Sequence, residues 1–437
     1  MLIINSWPRA IAHIDGDAFF ASCEQAIHPE YRGKPLITGK ERGIAAALSY
    51  EAKACGVKRG MRIFEVKKLC PDCIILPSDY ETYSLISKRM FSIIKKYSPC
   101  VEEYSIDEMF VDLTGLQRPL NMSYKKIIIE IKKDIEASLG ISVSAGLSLN
   151  KSLAKLASNY RKPGGLTAVS GKHVPLLLSK IPLIDIWGIG FSTASYLQKL
   201  GLKTAYDFAQ KSEDFVRKKL TKPGVEIWQE LRGEYIYKVD PKEKETYKSI
   251  SKVKTFTPAS NDSNFIYAQL IRNLENACIK MRRYSLATAK LYIFLKTQKY
   301  ESYGIEIKLN RPTSFEMEIT PHIKAVFDKI FDEKLLYRQT GVILVNLEED
   351  DRIQYSLFDD PVKVEKIKSI DQSVTELNDK FGKHSVFLGS TLLLQKYGQH
   401  LGTRGDVSQR KKTLLKGENQ RQRLNLPFVF IHELDPT

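Results

Sequence analysis

The chain has 437 residues, 43% of them hydrophobic, with a formal net charge of +16 and a pI near 9.3. That length exceeds one ordinary domain and accommodates three or four, and the hydrophobic share suits a protein with packed cores. No apolar run is long enough to span a bilayer, so no membrane partner is expected, and the basic surplus points to a polyanion, most often nucleic acid. Trp7-Pro8-Arg9 stands where a signal peptide would carry a charged region and a long apolar stretch, so none is expected. Six cysteines fit a reducing cytoplasm. Cys70-Pro-Asp-Cys73 has zinc-like spacing, but no second pair or nearby histidine completes it, and it reads as a structural turn.

Ala10 to Ile14 is mostly apolar and runs into Asp15-Gly16-Asp17, which predicts a strand ending at a carboxylate. Leu36 to Thr38 reads as a short strand, followed by helical stretches. There Tyr50 and Lys53 sit one turn apart (i, i+3), so both can reach one phosphate group. Tyr104 to Leu113 sets Ile106, Phe110 and Val111 around Asp107 and Glu108. Strand neighbours point to opposite faces, so these two carboxylates can flank metals only at a strand end or hairpin turn. Adjacent carboxylates repel, a divalent cation removes that cost, and oxygen-only ligands favour Mg²⁺. An isolated Asp-Glu pair more often marks a solvated turn than a metal site. Tyr124 to Leu139 is a lysine-rich amphipathic helix, with Ile127, Ile128, Ile131 and Ile135 at helical spacing. Val143 to Leu147 reads as a strand and Ser148 to Tyr160 as a helix stopped before Pro163. Ile186-Trp-Gly-Ile-Gly190 precedes an apolar helix ending at Leu200-Gly201. It is either a glycine helix cap or a place where backbone N–H groups approach a DNA phosphate. Tyr237 to Tyr247 is charged and unpatterned, as a linker is. Ile266 to Tyr284 predicts a helix, and Leu291 to Thr297 and Gly341 to Leu347 predict strands. Tyr397 to Arg423 is polar and basic, and is expected to be flexible.

Several segments carry a common signature. Asp15-Gly-Asp-Ala-Phe-Phe-Ala-Ser-Cys-Glu24, Ser49-Tyr-Glu-Ala-Lys-Ala-Cys-Gly-Val-Lys-Arg-Gly60 and Glu103-Tyr-Ser-Ile-Asp-Glu108 occur in this order. Ala145-Gly-Leu-Ser-Leu-Asn-Lys151 and Lys162-Pro-Gly-Gly165 follow. The series resembles the Y-family (translesion) DNA polymerases over roughly residues 9 to 350. The Phe-Phe segment is closest to the DNA polymerase IV-like members. Ala21-Ser-Cys-Glu24 and the region after residue 354 are more similar to the UmuC-type branch.

The resemblance implies a right-hand polymerase with an α+β palm (9–24 and 76–173), short fingers (25–75) and a helical thumb with a helix-hairpin-helix turn (174–240). A linker (241–247), an α+β little finger (248–350) and a C-terminal tail with a clamp-binding peptide (351–437) complete it. It implies template-directed dNTP addition to a primer 3′-hydroxyl, at low fidelity and without proofreading, in damage tolerance. Two Mg²⁺ ions are implied as cofactors. Asp15 and Asp107 would bridge them, Glu108 would hold the ion beside the primer hydroxyl, and the Gly16 carbonyl would complete the triphosphate-side ion. Ser105 would support the carboxylate geometry, and the nearby Asp17 and Asp112 would be structural rather than metal ligands. Phe20 sits at the steric-gate position, where an aromatic ring clashes with a 2′-hydroxyl, and its neighbour Phe19 is either a further nucleotide contact or a core residue. Tyr50, Lys53 and Lys162 would bind the triphosphate. The family usually has arginine in place of Lys53, which keeps the charge and loses the bidentate geometry. Ala46, Ala47 and Gly60 would cover the nascent base pair. Gly188, Ile189 and Gly190 would meet a DNA phosphate. Gln354, Leu357 and Phe358 would enter the groove of a sliding clamp. Residues 370–387 are similar to the UmuC-type C-terminal segment, with a recombinase filament or a UmuD-type accessory subunit as further implied partners. The competing readings are another two-metal palm enzyme, such as a nucleotide cyclase, and a non-catalytic DNA-binding scaffold. The Phe20 gate argues against the first, and the intact carboxylates argue against the second.

Overall fold

In a computed structural model, residues 7–242, 246–350, 360–381 and 384–396 are described, and they divide into two compact units, one on each side of residues 243–245. The first unit begins with β1 (Ile11–Gly16), every residue of which is buried. Its alternation sorts the two faces of a sheet. Ala10, Ala12 and Ile14 join one large apolar cluster, while Ile11 faces another with Phe110 and Ala154. The helix α1 (Phe19–Ile27) follows. A small three-stranded sheet comes next, with β2 (Leu36–Thr38) between β3 (Ala47–Leu48) and a third strand. Between the last two lie α2 (Tyr50–Ala54) and α3 (Ile63–Leu69), and β4 (Ile74–Leu76) pairs parallel to β2. The Ser49 hydroxyl caps α2 by accepting from the Ala52 N–H at 3.2 Å.

The chain then returns to the main sheet through α4 (Tyr80–Lys95), β5 (Val101–Glu103), β6 (Glu108–Asp112), α5 (Tyr124–Leu139), β7 (Val143–Ser148), α6 (Lys151–Tyr160) and β8 (Leu166–Ala168). The order is β5-β6-β1-β7-β8, with β1 antiparallel to both neighbours and β8 parallel to β7. Helix α5 carries the expected isoleucines on its buried face, between a Ser123 cap and Gly140 at φ 65°. With α1 and α4 it covers one side of the sheet. Helix α6 covers the other, and it lies directly on the strands: a Cβ at Gly146 would stand 2.1 Å from the Ala154 carbonyl oxygen and 2.2 Å from the Ser158 nitrogen. Only glycine permits that approach. Helices α7 (Val174–Leu178), α8 (Phe191–Lys199), α9 (Ala205–Ala209), α10 (Glu213–Lys219) and α11 (Lys222–Leu231) pack around a second core, to which α6 adds Leu153, Leu156 and Ala157.

The second unit is a four-stranded antiparallel sheet with helices on one face. Its elements are β9 (Ser249–Ser260), α12 (Ser263–Arg283), β10 (Leu286–Thr297), β11 (Ser302–Thr313), α13 (Glu316–Phe327) and β12 (Tyr337–Glu349), in the sheet order β11-β10-β12-β9. Helix α14 (Pro361–Phe381) and the short α15 (Leu393–Lys396) follow, within the span read from the sequence as a tail. They are attached to α12. Arg282 pairs with Asp371 at 3.1 Å and with Glu316 at 2.6 Å, and the buried Glu275 accepts from the Leu388 N–H at 2.8 Å.

Candidate active site

The carboxylates come together because β1 and β6 pair with Asp15 opposite Glu108. The register is held at its end by the Gly16 N–H, which donates to the Asp107 carbonyl at 2.8 Å. Strand β6 begins only at Glu108, so Asp107 belongs to the turn from β5 and is free of strict strand alternation. Ser105 organises that turn. Its hydroxyl donates to the Asp107 carboxylate at 2.5 Å and accepts from the Glu108 N–H at 3.1 Å.

Asp15 and Glu108 share their face of the sheet with His13, and ligand atoms of the three lie within 4.8 Å of one another. No other such trio of acidic, histidine or cysteine groups occurs among the described residues. Burial pushes the Asp15 carboxyl up to about 7 and the Glu108 charge adds to the shift, while the Lys162 ammonium, 2.7 Å away, opposes it. Lys155 reaches down from α6 to the Glu108 carboxylate. His13 is fully buried and its Nδ1 lies 2.7 Å from the Ser158 hydroxyl. Burial, then the charges of Lys155, Lys162 and Lys151, hold its pKa well below the usual value. The ring is therefore neutral, and its 4.0 Å approach to Glu108 is neither an ion pair nor a hydrogen bond. A cluster of hard oxygen donors, with one carboxylate destabilised by burial, fits a divalent cation better than a structural salt bridge.

Asp17 has a different part. It is buried and accepts from Ser144 at 2.6 Å, Ser142 at 3.0 Å and the Gly164 N–H at 2.8 Å, tying β1 to the Lys162-Pro-Gly-Gly turn. Tyr50 and Lys53 project from α2 toward the same carboxylates. Burial and the Asp17 and Asp15 charges raise the Tyr50 hydroxyl to about 12, while burial and nearby Lys162 lower the Lys53 ammonium. The Lys53 ammonium stands 4.1 Å from the centre of the Tyr50 ring. Phe19 is core, packed so close to Gly16 that a Cβ there would meet its ring at 2.8 Å. Phe20 packs at the margin of the same core and is only partly buried. It stacks on Tyr83 at 4.5 Å and meets the edge of Tyr80 at 5.3 Å. Tyr83 is itself fixed by donating to the buried Glu24 carboxylate at 2.7 Å.

Ala46 and Ala47 border β2, and the Gly60 N–H donates to the Ala45 carbonyl at 2.8 Å, so the three small residues are neighbours. Gly60 has φ +87° and open space where a Cβ would be. Gly188 (φ +87°) and Gly190 flank Ile189, whose side chain is buried in the helical core, leaving backbone at the surface. Gln354, Leu357 and Phe358 lie outside the described residues. Sequence reasoning missed His13, Lys151 and Lys155. The signals were present: His13 and Asp15 share a strand face (i, i+2), and Lys151 and Lys155 share a helix face (i, i+4).

The chain is similar to known proteins in sequence and in fold. Residues 14–159 match the impB/mucB/samB family and residues 247–357 match that family's C-terminal domain. A DNA polymerase IV of Desulfatibacillum aliphaticivorans is 33% identical over 86% of this chain and 95% of its own length. One of Clostridium kluyveri is 32% identical over 88% and 98%, and DNA polymerase IV 1 of Bacillus subtilis is 30% identical over 88% and 93%. In fold, a Y-family polymerase chimera of Dbh and Dpo4 superposes with a TM-score of 0.66, covering 78% of this chain and 99% of that one at 24% identity. The right-hand architecture of palm, fingers, thumb and little finger is thus that of the structural match. With relatives similar over nearly their whole length, and with a carboxylate pair at the strand ends, the chain belongs to the Y family of DNA polymerases and is a translesion DNA polymerase that depends on divalent metal and takes template–primer DNA and dNTPs as substrates.

Proposed function

We propose that the chain extends primers by two-metal phosphoryl transfer, with two Mg²⁺ ions held by Asp15, Asp107, Glu108 and the Gly16 carbonyl. When bound, these ions neutralise the triphosphate and make the primer hydroxyl nucleophilic. The observation that carries the reading is the cross-strand approach of Asp15 and Glu108 with Asp107 in the adjoining turn. Lys162 and Lys155 neutralise the two carboxylates, and Lys162, Lys53 and Tyr50 bind the triphosphate, a reading supported by the Lys162–Asp15 pair and the Lys53–Tyr50 contact. Phe20, braced by Tyr83, excludes a 2′-hydroxyl. Ala46, Ala47 and Gly60 leave room for a distorted template base, which suits low-fidelity synthesis without proofreading. The Gly188–Gly190 backbone meets a phosphate of the duplex. The cysteine usage suits a cytoplasmic setting. Primer extension across a damaged template tests this reading: synthesis should require Mg²⁺ and stop with a chelator, and chelator-resistant synthesis would overturn it.

We further read Gln354, Leu357 and Phe358 as a clamp-binding peptide, with a recombinase filament or UmuD-type subunit as a second class of partner. Alanine at the three positions should abolish stimulation by the host's sliding clamp and leave distributive synthesis on short primers unchanged. Leu357 and Phe358 contribute roughly 1.5–3 kcal/mol each if fully buried, before binding costs, which is enough to decide a weak peptide contact. Calorimetry with wild-type and triple-alanine chains measures it, and equal affinities would assign recruitment to another surface.

A further inference from the structure

His13 has no part in the two-Mg²⁺ reading, yet its ring shares a sheet face with Asp15 and Glu108. In the pairing of β1 with β7 it stands opposite Gly146, the residue that lets α6 lie on the strands. That approach brings Ser158 of α6 to the ring. The Ser158 hydroxyl donates its one hydrogen to the Lys155 carbonyl at 2.9 Å. Toward His13 Nδ1, 2.7 Å away, it can therefore only accept. Nδ1 carries the proton of the neutral ring, which leaves Nε2 with a lone pair. The ring is fully buried, and Nε2 has no hydrogen-bond partner among the described residues. It lies 4.0 Å from a Glu108 oxygen, and ligand atoms of His13, Asp15 and Glu108 lie within 4.8 Å of one another.

One nitrogen and two carboxylate oxygens are a different donor set from oxygen alone. Mg²⁺ takes oxygen, whereas imidazole suits Zn²⁺ and its first-row neighbours. Bonds from Zn²⁺ to nitrogen or oxygen run about 2.0–2.2 Å, so two donors on one ion stand at most about 4.2 Å apart. The separation of His13 from Glu108 already meets that limit, and the trio closes on an ion with side-chain movements of about half an ångström. Lys162 and Lys155 each take part of a carboxylate, which has further lone pairs to offer a metal. Their ammonium groups repel every divalent cation alike, so they lower affinity without favouring one ion. The imidazole is the group that discriminates.

We propose that His13 Nε2, Asp15 and Glu108 form a site for a single zinc-class cation, with donors distinct from those of the Mg²⁺ pair. Asp107 and the Gly16 carbonyl take no part in it, and water completes a tetrahedron. Ser158 is a positioning residue, because it fixes the tautomer that aims the lone pair at the ion. The ion engages Asp15 and Glu108 together. Resting on the two-Mg²⁺ reading given above, it should therefore inhibit primer extension.

The full chain, stripped with a chelator and free of DNA and dNTP, is titrated with Zn²⁺ and separately with Mg²⁺ by calorimetry. Co²⁺ serves as the probe for visible absorption. One Zn²⁺ should bind per chain. His13→Asn keeps a donor for Ser158 but lacks Nε2, and should weaken Zn²⁺ by at least about tenfold while leaving Mg²⁺ within about twofold. Ser158→Ala retains the ring and should weaken Zn²⁺ by about tenfold. Both should shift the Co²⁺ spectrum, and melting curves show that they are folded. Asp107→Asn should bind Zn²⁺ within about twofold of the native chain, as should Cys55→Ser, which removes the exposed thiol. Unchanged Zn²⁺ affinity in His13→Asn overturns the proposal. So does an equal loss of Mg²⁺ in that variant, which would make His13 a support for the carboxylates. Loss of Zn²⁺ in Asp107→Asn or Cys55→Ser overturns it as well, by placing the ion elsewhere. Binding that depends on His13 but leaves primer extension uninhibited would uphold the site and count against the two-Mg²⁺ reading.

Discussion

Glu108→Ala or Asp107→Ala will reduce primer extension by at least about a thousandfold while leaving template–primer affinity within about twofold of wild type. The two effects separate because they have different physical origins. Affinity for the duplex comes mainly from basic side chains on phosphates, and the chain's charge of +16 changes by one unit. On the proposed two-metal reading, the chemical step depends on carboxylates at the ends of β1 and β6. Removing Glu108 leaves Lys155 without its anion, and removing Asp107 leaves the Ser105 hydroxyl without its acceptor. A small loss of thermal stability is therefore expected, and melting curves show whether an inactive variant is folded. Glu108→Gln, which keeps the shape, should be as inactive as the alanine variant. Single-turnover extension alongside fluorescence anisotropy measures both quantities, and near-normal turnover in either alanine variant would remove the site from these residues.

Phe20→Ala should cost about 100-fold or more in the preference for dNTP over rNTP. A gate works only if it is stiff. Phe20 is backed face to face by Tyr83 at 4.5 Å, and Tyr83 is held by Glu24 at 2.7 Å, which gives the ring the stiffness the proposed gate needs. The ring is also partly buried, and its loss should destabilise the fold by about 1–3 kcal/mol, less than a fully buried phenylalanine. Phe20→Leu keeps part of that packing and should fall between the two in discrimination. Competing rNTP and dNTP incorporation on an undamaged template gives the ratio directly. An unchanged ratio would place the gate elsewhere. The neighbouring Phe19 is a weak substitute, because it is buried behind Gly16.

What could be read in the residues follows from how local each signal is. Leu36–Thr38 is legible because three strand-formers lie between Pro35 and Gly39. Tyr124–Leu139 is legible because its isoleucines repeat at helical spacing. Strands β9 and β11 escaped notice because they alternate exposed polar with partly buried residues and contain Pro258 and Pro312. Pro321 hides α13 in the same way. In the site, Asp15 and Glu108 are visible as carboxylates at strand ends. Lys155 is not, because its contact depends on α6 lying flat on the sheet, and that depends on Gly146.

The attachment of α14 and the 384–396 segment to α12 decides where this chain can be shortened. A chain ended at residue 350 would strip Glu275 of the Leu388 N–H and its Thr391 neighbour, and Arg282 of Asp371. Buried charged groups would lose the partners that make their burial tolerable. Deleting everything after the last strand to remove the proposed clamp peptide would therefore weaken the second unit at the same time, and loss of function in cells would have two causes. Point changes at 354, 357 and 358, or a stop after residue 396, separate recruitment from the integrity of that unit.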